Sequence, residues 1–193
     1  MSTPTATAAA IMQLYRQHGH LAYGEGMSQL SHATQAGLLA RERGYDDEII
    51  LAAFLHDVGH LSPLLTPARE AERMGELGVQ HHDRVGEDFL RERGCGERLL
   101  AAVRNHVAAK RYLCYAEPGY YDRLSEASKG TLAYQGGPMT AAEAEAFAAN
   151  LHFDISLRVR RLDEAAKEAD FPVTEDHLSY FTALLTEYLV QRA

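Results

Sequence analysis

The fold turns on one stretch, Ile49-Ile50-Leu51-Ala52-Ala53-Phe54-Leu55-His56-Asp57-Val58-Gly59-His60. Asp46, just upstream, is placed to cap a helix, and Ile49, Ile50, Ala53 and Phe54 recur behind it at helical spacing. That helix runs directly into His56-Asp57 and stops at Gly59. It therefore delivers an imidazole and a carboxylate side by side to the end of a buried apolar helix. An ionised carboxylate in such a place is costly unless it is paired or metal-bound. Alone, the dipeptide reads equally well as a helix terminator, because Asp also caps and ends helices.

Working outward, the helical signal continues in both directions. Thr7–Gln17 is an Ala-rich opening helix, and Ser28–Arg43 is a second that closes at Gly44. Further helices are expected over Ala68–Leu77, His82–Arg93 (closed by Gly94), Glu97–Ala109, Asp122–Lys129, Ala141–Ala149, Asn150–Lys167 and Thr174–Val190. Tyr134-Gln-Gly-Gly-Pro-Met139 reads as a turn. No two β-branched runs are joined by an Asn-Gly or Asp-Gly turn, so the class is all-α, with no substantial sheet. We expect one domain over residues 1–193, with a core at about 20–170 and a C-terminal helix at about 174–190.

Composition narrows the function. A formal net charge of −8 argues against nucleic acid or an anionic membrane as the main partner, yet leaves room for a small anionic ligand beside a local basic cluster. Ile49–Leu55 is the longest strongly apolar run and is far shorter than the ~20 residues a membrane span needs. No basic segment precedes an apolar block at the N-terminus, which suggests a cytoplasmic protein. Cys95 and Cys114 form no CxxC pair and read as packing or free thiols. Ten histidines against two cysteines point to nitrogen and oxygen ligation.

The histidines change the reading of His56-Asp57. His32, His82, His106 and Asp163 each fall on a separate expected helix. Helical bundles build metal cages in this way, with ligands projecting inward from several helices. The remaining histidines have plainer explanations. His18 and His20 lie at a helix end, where the helix dipole favours them. His152 and His177 have no partner at ligand spacing, and His81 points about 100° away from His82 if both are helical. His60 is intermediate: it completes His56-Asp57-Val-Gly-His60 and is placed to hydrogen-bond a ligand or substrate.

The order H…HD…H…H…D is that of the HD-domain superfamily, in the version with a dinuclear site. Longer strings extend the match: Tyr23-Gly-Glu25, Gln29-Leu-Ser-His32, Leu55-His-Asp-Val-Gly-His60, His82-Asp-Arg-Val-Gly86, His106-Val-Ala-Ala-Lys-Arg-Tyr-Leu113, Ser125-Glu-Ala-Ser128, Tyr134–Met139 and Arg160-Arg-Leu-Asp163. With them the chain resembles the HD-domain oxygenases that cleave organophosphonates, the PhnZ-type mixed-valent diiron enzymes. The resemblance implies one iron held by His32, His56, Asp57 and Asp163, and a second by His82 and His106, with Asp57 bridging. It implies an Fe(II)/Fe(III) pair, O2 as co-substrate, and a phosphonate held by Lys110, Ser128, Thr131 and Arg160. Tyr23 would cover the open iron position, and Glu25 would contact the amino end of the substrate.

Spacing gives the anion residues separate support. Lys110 lies one helical turn after His106, Arg160 nearly one turn before Asp163, and Ser128 and Thr131 one turn apart. Arg and Lys suit a phosphonate as fork and point charge. The loop at Tyr23-Gly-Glu-Gly26 is one residue shorter than the pattern for a 2-amino substrate. Two substrates therefore stay open: 1-hydroxy-2-aminoethylphosphonate, slightly favoured, and its N-trimethyl relative, whose quaternary cation suits aromatic faces and a carboxylate. The products would be glycine or glycine betaine plus phosphate. A metal-dependent phosphohydrolase acting on a nucleotide or other phosphomonoester is the alternative, and a catalytically silent anion sensor the third. The sequence does not specify an oligomeric state.

Overall fold

A computed structural model describes residues 2–24, 26–61 and 79–193. The expected helix Ala68–Leu77 and the candidate residue Glu25 lie outside the described residues. Ten α-helices make up most of the remainder. α1 (Pro4–His18) starts at Thr3, whose hydroxyl accepts from the Ala6 N–H, and lies along α10 (Glu175–Val190). α2 (Gln29–Glu42) is capped by Ser28, and α3 (Asp47–Leu55) by Asp46, as expected.

α3 occupies the centre. Every residue from Ile49 to Leu55 is buried, and the helix packs against α2, α5 (Glu97–Ala116), α9 (Phe153–Ala165) and α10. A helix that is apolar all round has no face for solvent, so it is driven to the interior. Its C-terminal end is fixed from two sides. The Tyr15 hydroxyl donates to the Phe54 carbonyl at 3.1 Å, and His56 Nδ1 donates to the Ala53 carbonyl at 2.7 Å. The Phe54 ring stacks on Phe181 of α10 with centroids 4.1 Å apart. Gly37 of α2 is required there, because a Cβ at that position would come within 2.6 Å of the Phe181 ring.

After α3, a 3-10 turn (Val58–His60) leads toward α4 (His82–Arg91). α6 (Tyr120–Arg123), α7 (Glu126–Tyr134) and α8 (Ala141–Ala148) cover the far part of α5. Two small apolar clusters hold them there. Met139, Ala144 and Phe147 pack on Ala109, and Tyr120, Leu124 and Leu132 pack on Leu113.

Several boundaries differ from expectation. α5 continues past Ala109 to Ala116, because nothing before Pro118 interrupts it. The single helix expected over Asp122–Lys129 is two helices. Leu124 adopts extended backbone (φ −62°, ψ 143°), and Ser125 restarts the chain by accepting the Ser128 N–H. α9 begins at Phe153 rather than Asn150, whose side chain accepts the His152 N–H in a turn instead. The glycine-rich stretch after Leu21 forms a short antiparallel hairpin, β1 (Ala22–Gly24) and β2 (Met27–Ser28), with Gly26 at φ 78°. It is the sole sheet among the described residues, and the all-α class holds. No described helix is long and apolar enough to cross a membrane.

Candidate metal and anion site

The six expected ligands converge from five elements and are all buried. His32 comes from α2, His56 and Asp57 from the end of α3, His82 from α4, His106 from α5 and Asp163 from α9. They sort into two groups, His32–His56–Asp163 and Asp57–His82–His106, whose donor atoms lie within 4.8 Å of one another in each group. In the first, the His32 and His56 Nε2 atoms are 3.2 Å apart, and Asp163 Oδ1 is 3.2 Å from His32 Nε2. In the second, the His82 and His106 Nε2 atoms are 2.9 Å apart.

Asp57 spans both groups. Its Oδ2 lies 3.1 Å from His56 Nε2 and 3.6 Å from His32 Nε2. Its Oδ1 lies 3.4 Å from both His82 Nε2 and His106 Nε2. One carboxylate oxygen therefore faces each group, the arrangement a bridging ligand requires.

The far side of each ring explains why the cage suits a metal. His32 Nδ1 reaches the Ala166 carbonyl at 3.0 Å, His56 that of Ala53, His82 that of Val79 at 3.1 Å, and His106 that of Val103 at 2.6 Å. A carbonyl only accepts, so each Nδ1 carries a hydrogen and each Nε2 is left facing the cage, the atom a metal would take. Two Nε2 atoms at 2.9 or 3.2 Å must share a cation, either a proton or a metal ion. Two histidine–carboxylate groups sharing a carboxylate fit a dinuclear metal site. Burial alone would raise Asp57 and Asp163, but the facing imidazoles, and Arg160 for Asp163, outweigh it and hold both well below the usual carboxylate range.

His60 has the opposite tautomer. The Val79 N–H donates to its Nδ1 at 3.1 Å, so the ring hydrogen is on Nε2, 4.0 Å from Asp57 Oδ1. It stacks on His82 with centroids 4.0 Å apart, and burial pushes it down to about 4. His60 thus presents a donor to the cage. The fit at this corner is close: a Cβ on Gly59 would run into the His82 carbonyl and come within 2.8 Å of the Gly86 N. On the first group, the Tyr23 ring stacks on His32 at 3.8 Å, and its hydroxyl donates to Asp163 Oδ1 at 3.2 Å.

The four expected anion residues also come together. Lys110 Nζ donates to Thr131 Oγ1 at 2.8 Å and reaches the Ser128 carbonyl at 3.5 Å. Lys110 is 4% exposed and Arg160 3%, so neither is a solvated surface charge. Burial, and then the nearby Arg160, push Lys110 down to about 7. Arg160 forks onto Asp163 and Glu164, and its Nε donates to the Tyr120 hydroxyl at 3.0 Å. The cationic cluster therefore touches the metal cage directly through Asp163.

Sequence reasoning missed four participants: Gln35, Tyr120, Glu164 and Lys167. Arg160, Asp163 and Glu164 stand at i, i+3 and i+4 on α9, and that spacing was the available signal for Glu164. Among the other histidines, His81 is exposed at φ 57°, just before α4 rather than within it. His177 accepts the Thr174 N–H in a capping box. Cys95 and Cys114 are both free, and burial pushes the Cys95 thiol up to about 12.

Comparison with known proteins places this geometry. Residues 29–151 match the HD domain family. The chain is 40% identical over 180 residues to an uncharacterized protein of Acanthamoeba polyphaga mimivirus, covering 93% of this chain and 80% of that one. It is 40% identical over 147 residues to the [1-hydroxy-2-(trimethylamino)ethyl]phosphonate dioxygenase (glycine-betaine-forming) of Leisingera caerulea, covering 76% of this chain and 72% of that one. It is 34% identical over 165 residues to the hydroxymethylphosphonate dioxygenase of Gimesia maris, covering 86% and 80% respectively. The protein belongs to the HD-domain family, in the branch that contains the organophosphonate dioxygenases.

Proposed function

We propose that the protein is an oxygenase that cleaves the carbon–phosphorus bond of a small α-hydroxyphosphonate. The substrate is of the 1-hydroxy-2-aminoethylphosphonate type, with the amine either primary or trimethylated. The observation that carries this reading is the cluster of buried Lys110, Ser128 and Arg160 with half-buried Thr131 against the His/Asp cage. The named relatives support it, because both act on phosphonates bearing a hydroxyl on the carbon attached to phosphorus. The trimethylated form draws more support from them than the primary amine, which the sequence slightly favours although the loop is shorter than the 2-amino pattern.

The stoichiometry closes without an external reductant. An α-hydroxyphosphonate dianion and O2 give a carboxylate, hydrogen phosphate and a proton. Phosphomonoester hydrolysis is the poorer reading, because the named relatives act on phosphonates, whose carbon–phosphorus bond offers no ester oxygen as leaving group.

We assign His32, His56 and Asp163 to one iron and His82 and His106 to the other, with Asp57 shared. A mixed-valent Fe(II)/Fe(III) pair, when bound, supplies the redox chemistry that activates O2. The protein's own residues supply orientation. Lys110, Ser128, Thr131 and Arg160 hold the phosphonate and neutralise its charge, which fixes carbon 1 relative to the cage. His60 offers an Nε2–H donor to the substrate side of Asp57. Tyr23 covers the first group until substrate arrives, and Glu25 is assigned to the amino end.

Iron analysis and EPR, combined with oxygen uptake and phosphate release, test the proposal. The substrates are 1-hydroxy-2-aminoethylphosphonate, its trimethyl form and hydroxymethylphosphonate. The expected result is two irons per chain, a mixed-valent signal, and stoichiometric phosphate from at least one compound. Phosphomonoesterase activity with no oxygen uptake on any of the three would defeat it.

A further inference from the structure

We propose that Lys167 is a third cation of the anion cradle, holding the Ser128 hydroxyl as a donor toward the phosphonate. The inference rests on reading the Lys110–Ser128 cluster as the phosphonate site. Lys167 Nζ donates to Ser125 Oγ at 3.0 Å and to Ser128 Oγ at 3.2 Å. An ammonium only donates, so the Ser128 oxygen accepts from it and its own hydrogen is turned away from the lysine. Lys110 flanks the same residue from the other side, at the Ser128 carbonyl. Ser128 is thus held between two ammonium groups.

The position is electrostatically unusual. Ser125 caps α7, so Lys167 lies over the N-terminal turn of that helix, where the helix dipole favours anions and disfavours cations. Its side chain is only 15% exposed, which limits relief by water. The Glu164 carboxylate pairs with it at 4.0 Å and also accepts from Arg160 and Tyr120. The N-terminus of α7, Lys110 and Lys167 meet at Ser128, and Arg160 is near enough to lower Lys110. A doubly charged phosphonate is the ligand that such a concentration of positive charge suits.

Lys167 lies beyond the end of α9, so the helix alone does not place it. The segment Ala166–Glu168 is attached to α2 instead. His32 donates to the Ala166 carbonyl, the Gln35 amide donates to the Glu168 carbonyl at 3.1 Å, and Gln35 Oε1 accepts the Glu168 N–H at 2.9 Å. The backbone that orients a first-group imidazole also aims Lys167 at Ser128. Gln35 acts here as a positioning residue.

Steady-state kinetics on iron-loaded Lys167→Met with the best α-hydroxyphosphonate, with inorganic phosphate as inhibitor, tests this. We expect KM and the phosphate inhibition constant each to rise about 10- to 100-fold, the loss of one charge-assisted contact, with kcat changed less and iron content unchanged. Lys167→Arg should recover much of both. Unchanged KM and phosphate inhibition in folded Lys167→Met overturn the proposal. So does a fall in melting temperature and kcat with no selective change in KM, which is what a merely structural lysine would give. Wild-type protein that turns over no α-hydroxyphosphonate defeats the functional reading instead. The phosphate arm, read as binding to the holoprotein, still decides whether Lys167 serves an anion site.

Discussion

The two halves of the cage use the same ligand types in different surroundings. His32, His56 and Asp163 have a carboxylate of their own, take Asp57 Oδ2 as a fourth donor, and are backed by Arg160 on Asp163 and by Tyr23 stacked on His32. Among the described residues, His82 and His106 have only Asp57 Oδ1 between them, beside the donor His60. The first half is a two-histidine, two-carboxylate set. The second is, among the described residues, a two-histidine, one-carboxylate set, the donor pattern of non-haem iron oxygenases. On the proposed assignment, the first half would retain its metal and the second would expose one. A chelator should therefore remove the second metal first.

Asp57 is the residue on which both halves depend, and its loss should have the largest effect. Asp57→Ala removes one oxygen from each group and leaves the surrounding imidazoles without their shared counter-charge. Iron should fall below one per chain, and turnover should fall to background. Metal analysis by mass spectrometry checks this. Retention of two irons in Asp57→Ala would break the bridging assignment and the comparison with it.

Gly59→Ala should separate the halves, with an intermediate effect. The new Cβ meets the His82 carbonyl and the Gly86 N, so the start of α4 must shift while α2, α3 and α9 need not. Overpacking of this kind costs about 1–3 kcal/mol of stability. A displaced ligand shell typically costs about 10- to 100-fold in metal affinity. Titration of iron into the apoprotein should show the weaker site weakened further and the tighter one unchanged. Equal loss at both sites would show that the two halves are not mechanically independent.

The same contrast marks what could be read from the sequence. α3 was legible because an apolar run ending in His-Asp carries its own signal, and His32, His82, His106 and Asp163 each fell on a separate helical segment. The anion residues Lys110 and Arg160 were legible from their spacing to neighbouring ligands. The tautomers were not, because they depend on which carbonyl each Nδ1 meets. Lys167 was hidden for a related reason. α9 ends at Ala165, and only the attachment of the next residues to His32 and Gln35 decides where Lys167 points. The break between α6 and α7 escaped because Leu124 gives no local cue to leave the helix.

Tyr23→Phe should have the smallest effect and sharpens the account of the first half. The substitution keeps a ring to stack on His32 and removes only the hydroxyl that donates to Asp163 Oδ1. A single hydrogen bond of this kind is worth about 0.5–1.5 kcal/mol, or up to about 3 kcal/mol against a charged acceptor. Arg160 still holds the other oxygen of Asp163, so the carboxylate keeps its orientation. Iron content should stay at two per chain, with kcat within about tenfold of wild type. The change should appear in the resting EPR signal and vanish once substrate is bound, if the tyrosine leaves the site as proposed. A difference that persists in the substrate complex would mean that Tyr23 remains on Asp163 through the reaction. In that case the first half is open to substrate by another route, and the division between a retaining and a reacting metal would have to be drawn elsewhere.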